Sequence, residues 1–204
     1  VLQGFRKSCR AQEQLFPLRR ALPTIDRFFL EPEARDRTSE LDPDPPPMAA
    51  SGLHHVGTDR DPYARGAYSL YVPESYDGSQ AWPLVTALHG GFGHGRDFLW
   101  TWLREARSRR FLLLAPTSSG TTWSLLMPQI DGAAMAAVLD HVREKWNVDS
   151  DRMLLTGMSD GGTFALATGL KGDSPFTAYA VVSCALPPAD LEKARGKRIY
   201  WVHG

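Results

Sequence analysis

The run Gly157-Met158-Ser159-Asp160-Gly161 is where this chain first suggests chemistry. A G-x-S-x-G run makes a nucleophile site only where a strand leads into it and a helix leads out, because that sharp turn lifts the serine Oγ above the edge of a sheet. Both flanks fit. Arg152-Met153-Leu154-Leu155-Thr156 is an apolar stretch of strand length, and Gly162 to Gly169 is small and helix-compatible. The glycines follow from sterics, since strand and helix approach so closely around a strained serine that a Cβ on either side lacks room. Composition alone would supply the pentapeptide by chance in roughly one chain of this length in fifteen, so the setting decides. A second segment adds to it. Leu84 to Leu88 runs as an apolar strand into His89-Gly90-Gly91-Phe92-Gly93. Acyl transfer on a sheet of this kind takes one oxyanion N–H from the residue after the nucleophile and another from the loop after an earlier strand. Here those are Asp160 and Gly91, with Phe92 as the neighbouring option. By itself the loop also reads as an ordinary glycine-rich strand-to-helix turn.

A serine hydroxyl needs a histidine to take its proton and an acid to orient that histidine. His203, at the end of an apolar run, is the only histidine after Ser159. It is a candidate base, with Asp173 or Asp190 as its orienter. His89 precedes the glycines and would hold their loop by hydrogen bonding. His94 reads as an exposed loop residue or part of the pocket mouth, and His141 as a surface residue in mid-helix. His54 and His55 lack companions at metal-ligand spacing, so no metal and no cofactor is expected. The Asp160 carboxylate should be held by local hydrogen bonds, because a negative charge beside a developing oxyanion hinders the reaction. Trp123 and Met127-Pro128-Gln129 read either as one wall of an acyl pocket or as core.

The elements that must position these groups are legible as a rhythm. Strands are predicted near 54–58, 67–72, 84–88, 111–115, 152–156, 178–183 and 198–202. A helix near Asp97–Arg109 buries Phe98, Trp102, Leu103 and Ala106. A second begins near Asp131, a plausible N-cap, and carries Met135, Val138, Leu139, Val142 and Trp146 on one face. Apolar strands alternating with helices imply a mostly parallel sheet covered on both faces, preceded by a hairpin or meander.

With Tyr68-Ser69-Leu70-Tyr71-Val72-Pro73 as an early strand, Leu88-His89-Gly90-Gly91 as the oxyanion strand, Leu112 to Pro116 as the next, the 157–161 turn and Ile199 to Gly204, the chain resembles the α/β-hydrolase family. The resemblance is to its phospholipase/carboxylesterase and polyhydroxybutyrate-depolymerase-like esterases, and it covers residues 52–204. It implies a serine esterase forming an acyl-enzyme on Ser159 from a small-molecule or lipid ester. It also implies that a His-Gly pair such as His203-Gly204 precedes the acid-bearing loop, so His203 would be a structural residue, the fold would be truncated here and the acid and base would lie beyond the chain. Two rivals remain open: a catalytically incompetent, hydrolase-like binding module, and a peptidase or acyltransferase on the same fold.

Composition bounds the rest. The chain has 204 residues, 23 basic against 23 acidic, and 43% apolar residues, which suits one globular domain with some additional chain. Neutral balance gives no electrostatic case for nucleic acid or an anionic membrane. Cys9 and Cys184 are too few for a disulfide framework, and no window has the apolar length of a membrane span. No signal-peptide core is visible; with Val1 first, cytoplasmic is a default. Residues 1–31 read as an N-terminal extension of short helical pieces broken at Pro17 and Pro23, packing against the domain in preference to a membrane. Residues 32–51, rich in proline, read as a linker, and 52–204 as the domain.

Overall fold

The structure, a computed structural model, describes residues 2–48, 50–57, 61, 63–170, 173–184 and 191–203. Helix α1 (Leu2–Leu15) is followed by a 3-10 turn over Phe16–Arg20, then α2 (Pro23–Phe28), a second 3-10 turn over Pro32–Arg37, and α3 (Thr38–Leu41). The strands are β1 (Gly52–Val56), β2 (Tyr68–Val72), β3 (Trp82–Leu88), β4 (Leu112–Pro116), β5 (Val148–Met158), β6 (Ala178–Val182) and β7 (Arg198–Val202). The remaining helices are α4 (Gly95–Phe98), α5 (Leu103–Arg109), α6 (Gln129–Lys145) and α7 (Asp160–Gly169). The predicted helix over 97–109 is thus two short helices joined by a 3-10 turn at Leu99–Thr101. Helix α6 starts before Asp131, whose side chain is occupied elsewhere, as described below.

One seven-stranded sheet runs in the order β1-β2-β4-β3-β5-β6-β7. The pairs β1–β2 and β2–β4 are antiparallel and the other four are parallel, which is the meander ahead of a parallel sheet. Strand alternation divides two cores. Leu84, Leu88, Leu112 and Leu114 point to one face and pack with Met135, Leu139 and Val142 of α6 and Phe164 to Leu166 of α7. Val85, Ala87, Leu113 and Ala115 point to the other, where Leu99, Trp100, Leu103 and Ala106 meet Cys9, Phe16 and Phe29 of the N-terminal segment. The basic amphipathic start of the chain therefore covers a sheet face. Phe16 anchors it, edge-on to Phe29 at 5.0 Å and to Trp100 at 5.7 Å between ring centroids. At the opposite edge of the sheet all five residues of β7 are exposed.

The first half of the proline-rich stretch corrects the linker expectation. Leu30, Ala34 and Leu41 are buried together, and Asp42 is pulled into an ion cluster under the same face. Arg107, fully buried, donates through Nη2 to Asp26 Oδ1 at 2.5 Å and to Asp42 Oδ2 at 3.2 Å. Arg19 donates to Asp42 Oδ2 at 3.2 Å and to Glu74 Oε1 at 2.5 Å, and the Tyr71 hydroxyl donates to Glu74 Oε2 at 2.5 Å. Buried carboxylates demand such partners, and these partners fix residues 16–42 against β2 and α5.

Candidate active site

Ser159 stands between the end of β5 and the first residue of α7 with φ 54° and ψ −121°. A non-glycine residue with positive φ is uncommon and is held only where its surroundings dictate it. They do: its N–H donates to the Val182 carbonyl at 2.9 Å, and its carbonyl accepts the Thr163 N–H at 2.9 Å. The flanking glycines show why the sequence takes this form. A Cβ on Gly157 would stand 2.5 Å from the backbone C and O of Gly161, and a Cβ on Gly161 would fall on the carbonyls of Leu88 and His89. The turn is thus locked against the end of β3, and the two segments singled out in the sequence are one site.

The loop after β3 lies directly beside the serine, since a Cβ on Gly90 would be 3.5 Å from Ser159 Cβ. A Cβ on Gly91 would be 2.6 Å from Asp160 Oδ2, so only glycine fits there without moving that carboxylate. Thr122 Oγ1 donates to the same Oδ2 at 2.5 Å, which turns the charge toward the 117–124 loop. The Phe92 N–H donates to the Thr121 carbonyl at 2.7 Å, and this removes Phe92 as the neighbouring donor. No hydrogen bond among the described residues occupies the N–H of Gly91 or of Asp160. Two unpartnered donors beside a strained serine are what stabilisation of an oxyanion needs.

Five histidines are held in structural contacts. His89 is buried, its Nδ1–H donating to the Gly90 carbonyl at 2.7 Å while Nε2 accepts the Ser118 N–H at 3.1 Å. Burial pushes its pKa down to about 4, so it is a neutral brace. The Trp123 indole donates to the His89 carbonyl at 2.7 Å and stacks on Phe164 at 5.0 Å, which makes Trp123 core and not a pocket wall. Leu126 and Met127, just beyond it, are exposed. His94 is buried, contrary to the exposed-loop expectation: its Nδ1 accepts the Arg96 N–H at 3.1 Å as the cap of α4, and burial pushes its pKa to about 4. His141 is half-buried against Tyr68, ring centroids 6.2 Å apart, and so is more than a surface residue. His54 and His55 bind the Ala50 carbonyl and Ser69 Oγ at 2.7 and 2.8 Å. Among the described residues no group of three or more His, Cys, Asp and Glu side chains could hold a metal.

Asp131 explains the early start of α6. Its carboxylate accepts from the Ser119 N–H and Oγ at 2.8 and 2.7 Å and from the Ser124 N–H at 2.7 Å, tying down the loop that carries Thr122. Burial raises its pKa, and the hydrogen bonds from Ser119 and Ser124 outweigh that and leave it below the usual carboxylate value.

The pairing of His203 with Asp173 fails on position. Met158, Val182 and Val202 are register partners across β5, β6 and β7, so His203 follows two strands from Ser159, about 10 Å away at the strand spacing. Asp173 lies past the C-terminal end of α7, about 15 Å down that helix from the serine. Asp190 lies outside the described residues. Sequence reasoning missed Thr122, whose type and neighbours carry no motif.

No family model matches the chain. It is 28% identical over 123 residues to a probable feruloyl esterase C of Aspergillus terreus, covering 57% of this chain and 45% of that relative. It is 23% identical to a probable feruloyl esterase C of Aspergillus niger, covering 67% of this chain and 50% of that one. The chain therefore spans about half the length of the curated relatives it matches. Among solved structures, an acetyl xylan esterase from Aspergillus awamori superposes with a TM-score of 0.56 at 20% identity, covering 66% of this chain and 53% of that one. No helix among the described residues is long and apolar enough to cross a membrane.

Proposed function

We propose that this chain, which has the α/β-hydrolase fold of its esterase relatives, carries the nucleophile and oxyanion half of a carboxylic-ester hydrolase. Ser159 is the nucleophile: its Oγ attacks the acyl carbonyl of a small-molecule or lipid ester, and the Gly91 and Asp160 N–H groups receive the negative charge that forms on the carbonyl oxygen. The alcohol leaves and water releases the acid from the serine. This chemistry implies no cofactor. The observation that carries this reading is the strained backbone of Ser159, φ 54° and ψ −121°, set beside two N–H donors that have no partner among the described residues.

The base and its acid are proposed to lie outside these 204 residues. His89 and His94 are buried braces, and His203 stands two strands away. The relatives, about twice as long as the matched region, leave room for both groups. Names of relatives that act on feruloyl or acetyl esters make such esters the first substrates to try. The full-length protein should label with a fluorophosphonate and hydrolyse p-nitrophenyl acetate, and Ser159→Ala should abolish both. Labelling that survives the substitution sinks the assignment.

A further inference from the structure

Three of the five residues from His89 to Gly93 are glycine, and Phe92 at the tip is 63% exposed with φ 60°. Such a loop has little apolar contact to order it and a large conformational freedom to lose. It is held instead by its carbonyls. The Gly90 carbonyl accepts from His89 Nδ1 at 2.7 Å and from the Gly93 N–H at 2.9 Å. The Phe92 carbonyl accepts from Arg6 Nη2 at 2.5 Å, and the Gly93 carbonyl from Arg65 Nη1 at 2.8 Å. With the Phe92 N–H on Thr121, the loop is tied on both sides of Gly91, and the Gly91 N–H is left for a ligand.

Arg6 belongs to α1, far from the loop in sequence, and α1 is itself fixed. Cys9 is buried, Arg10 donates to the Tyr63 hydroxyl at 3.1 Å, and Glu13 pairs with Arg96 and, at 3.5 Å, with His55 Nε2. The Arg6 guanidinium also reaches Asp97 Oδ2 at 3.8 Å through Nε, so a forked cation spans a carbonyl of the loop and a carboxylate of α4. We infer that Arg6 is a positioning residue: the N-terminal extension, through this side chain, sets the oxyanion loop so that the Gly91 N–H faces the serine. This rests on the proposed esterase reading and gives residues 2–15 a part in it. A lysine presents one compact cation and lacks the fork, so it should replace Arg6 only in part.

The test uses the full-length protein with Arg6→Ala and Arg6→Lys. In Arg6→Ala, kcat for p-nitrophenyl acetate should fall about 10- to 100-fold with KM unchanged, as for a misplaced transition-state donor. The Phe92 and Gly93 amides should exchange faster while those of α1 stay protected, and Arg6→Lys should recover part of kcat. Unchanged exchange at Phe92 and Gly93 overturns the inference, as does a kcat that does not change. Loss of protection throughout α1 overturns it too, because Arg6 would then merely dock the helix. Failure of the esterase reading shows separately, as a wild-type protein with neither turnover nor fluorophosphonate labelling.

Discussion

The turn at Ser159 and the ion cluster around Arg107 sit on one sheet and treat polar groups in opposite ways. Around the serine, backbone strain is kept and two N–H donors are left without partners among the described residues, beside a carboxylate turned aside by Thr122. Around Arg107, two guanidiniums, three carboxylates and a phenol satisfy one another almost completely. The first arrangement is open and ready to bind. The second is closed, and it fastens residues 16–42 to β2 and α5. A site of incomplete satisfaction thus rests on a sheet whose other cover pairs nearly all of its charges, Arg107 Nε being left without a hydrogen bond. The difference teaches that the groups to suspect of chemistry are the unpartnered ones, not the most highly charged.

The largest effect expected from breaking this contrast lies in the cluster. Arg107→Met leaves Asp26, Asp42 and Glu74 short of a partner in a buried place and should cost about 3–5 kcal/mol, read as a lower urea midpoint. Because the cluster touches neither Ser159 nor the Gly91 loop, kcat of the folded fraction should stay at the wild-type value. Adding Asp26→Leu, which removes an orphaned carboxylate, should restore part of the lost stability. A kcat that falls with Arg107→Met would mean that the two regions are coupled and the contrast is false.

Gly91→Ala probes the open side. The new Cβ would meet Asp160 Oδ2 at 2.6 Å, so either the loop shifts or the carboxylate swings off Thr122 and toward the site. Both harm an oxyanion, and activity should fall on the order of 10²–10³, the usual loss for one donor. Denaturant stability should change little, since Gly91 lies at a surface loop and not in either core. A stability loss comparable to that of Arg107→Met would show that the loop is structural.

Legibility in the sequence follows the same division. The requirements of the serine turn are steric and appear within five residues as glycines at fixed spacing, even where the close neighbour is distant in sequence, as the Leu88 and His89 carbonyls are for Gly161. The apolar strands likewise announced all seven strands to within a few residues, the largest offset being β5, which begins at Val148 and not at Arg152. The ion cluster joins Arg19 to Glu74 across 55 positions and Arg107 to Asp26 across 81. Separately, each of these residues looks like a solvated charge. The proline-rich stretch hid Leu41, which is fully buried, because one apolar residue among prolines has no period. Asp131 looked like a helix cap and instead binds Ser119 and Ser124, since a loop that returns to a helix start cannot be seen from spacing. Arg6 and Thr122 reach their partners across the fold and leave no local trace.

Acid separates the two regions by sign, with the smallest of these effects. His89 is held neutral by burial, its pKa lowered from 6.5 to about 4. Between those values the unfolded chain binds a proton that the folded one does not, so this contribution is fully present above pH 6.5 and is lost as pH falls toward 4. The loss is on the order of 3 kcal/mol at its limit. Glu74 runs the other way. Burial raises its pKa above 4.5 despite Arg19 and Tyr71, so acidification relieves the strain of keeping it ionised and favours the folded state. Acid should therefore loosen the loop beside Ser159 while easing the cluster. Urea unfolding at pH 7 and at pH 4.5 should show the wild type less stable in acid, with the difference shrinking in His89→Asn, which keeps an N–H donor for the Gly90 carbonyl but takes up no proton. If His89→Asn retains the full difference, the acid sensitivity belongs elsewhere, with His94 the next to test because its cap on α4 is held neutral by burial in the same way.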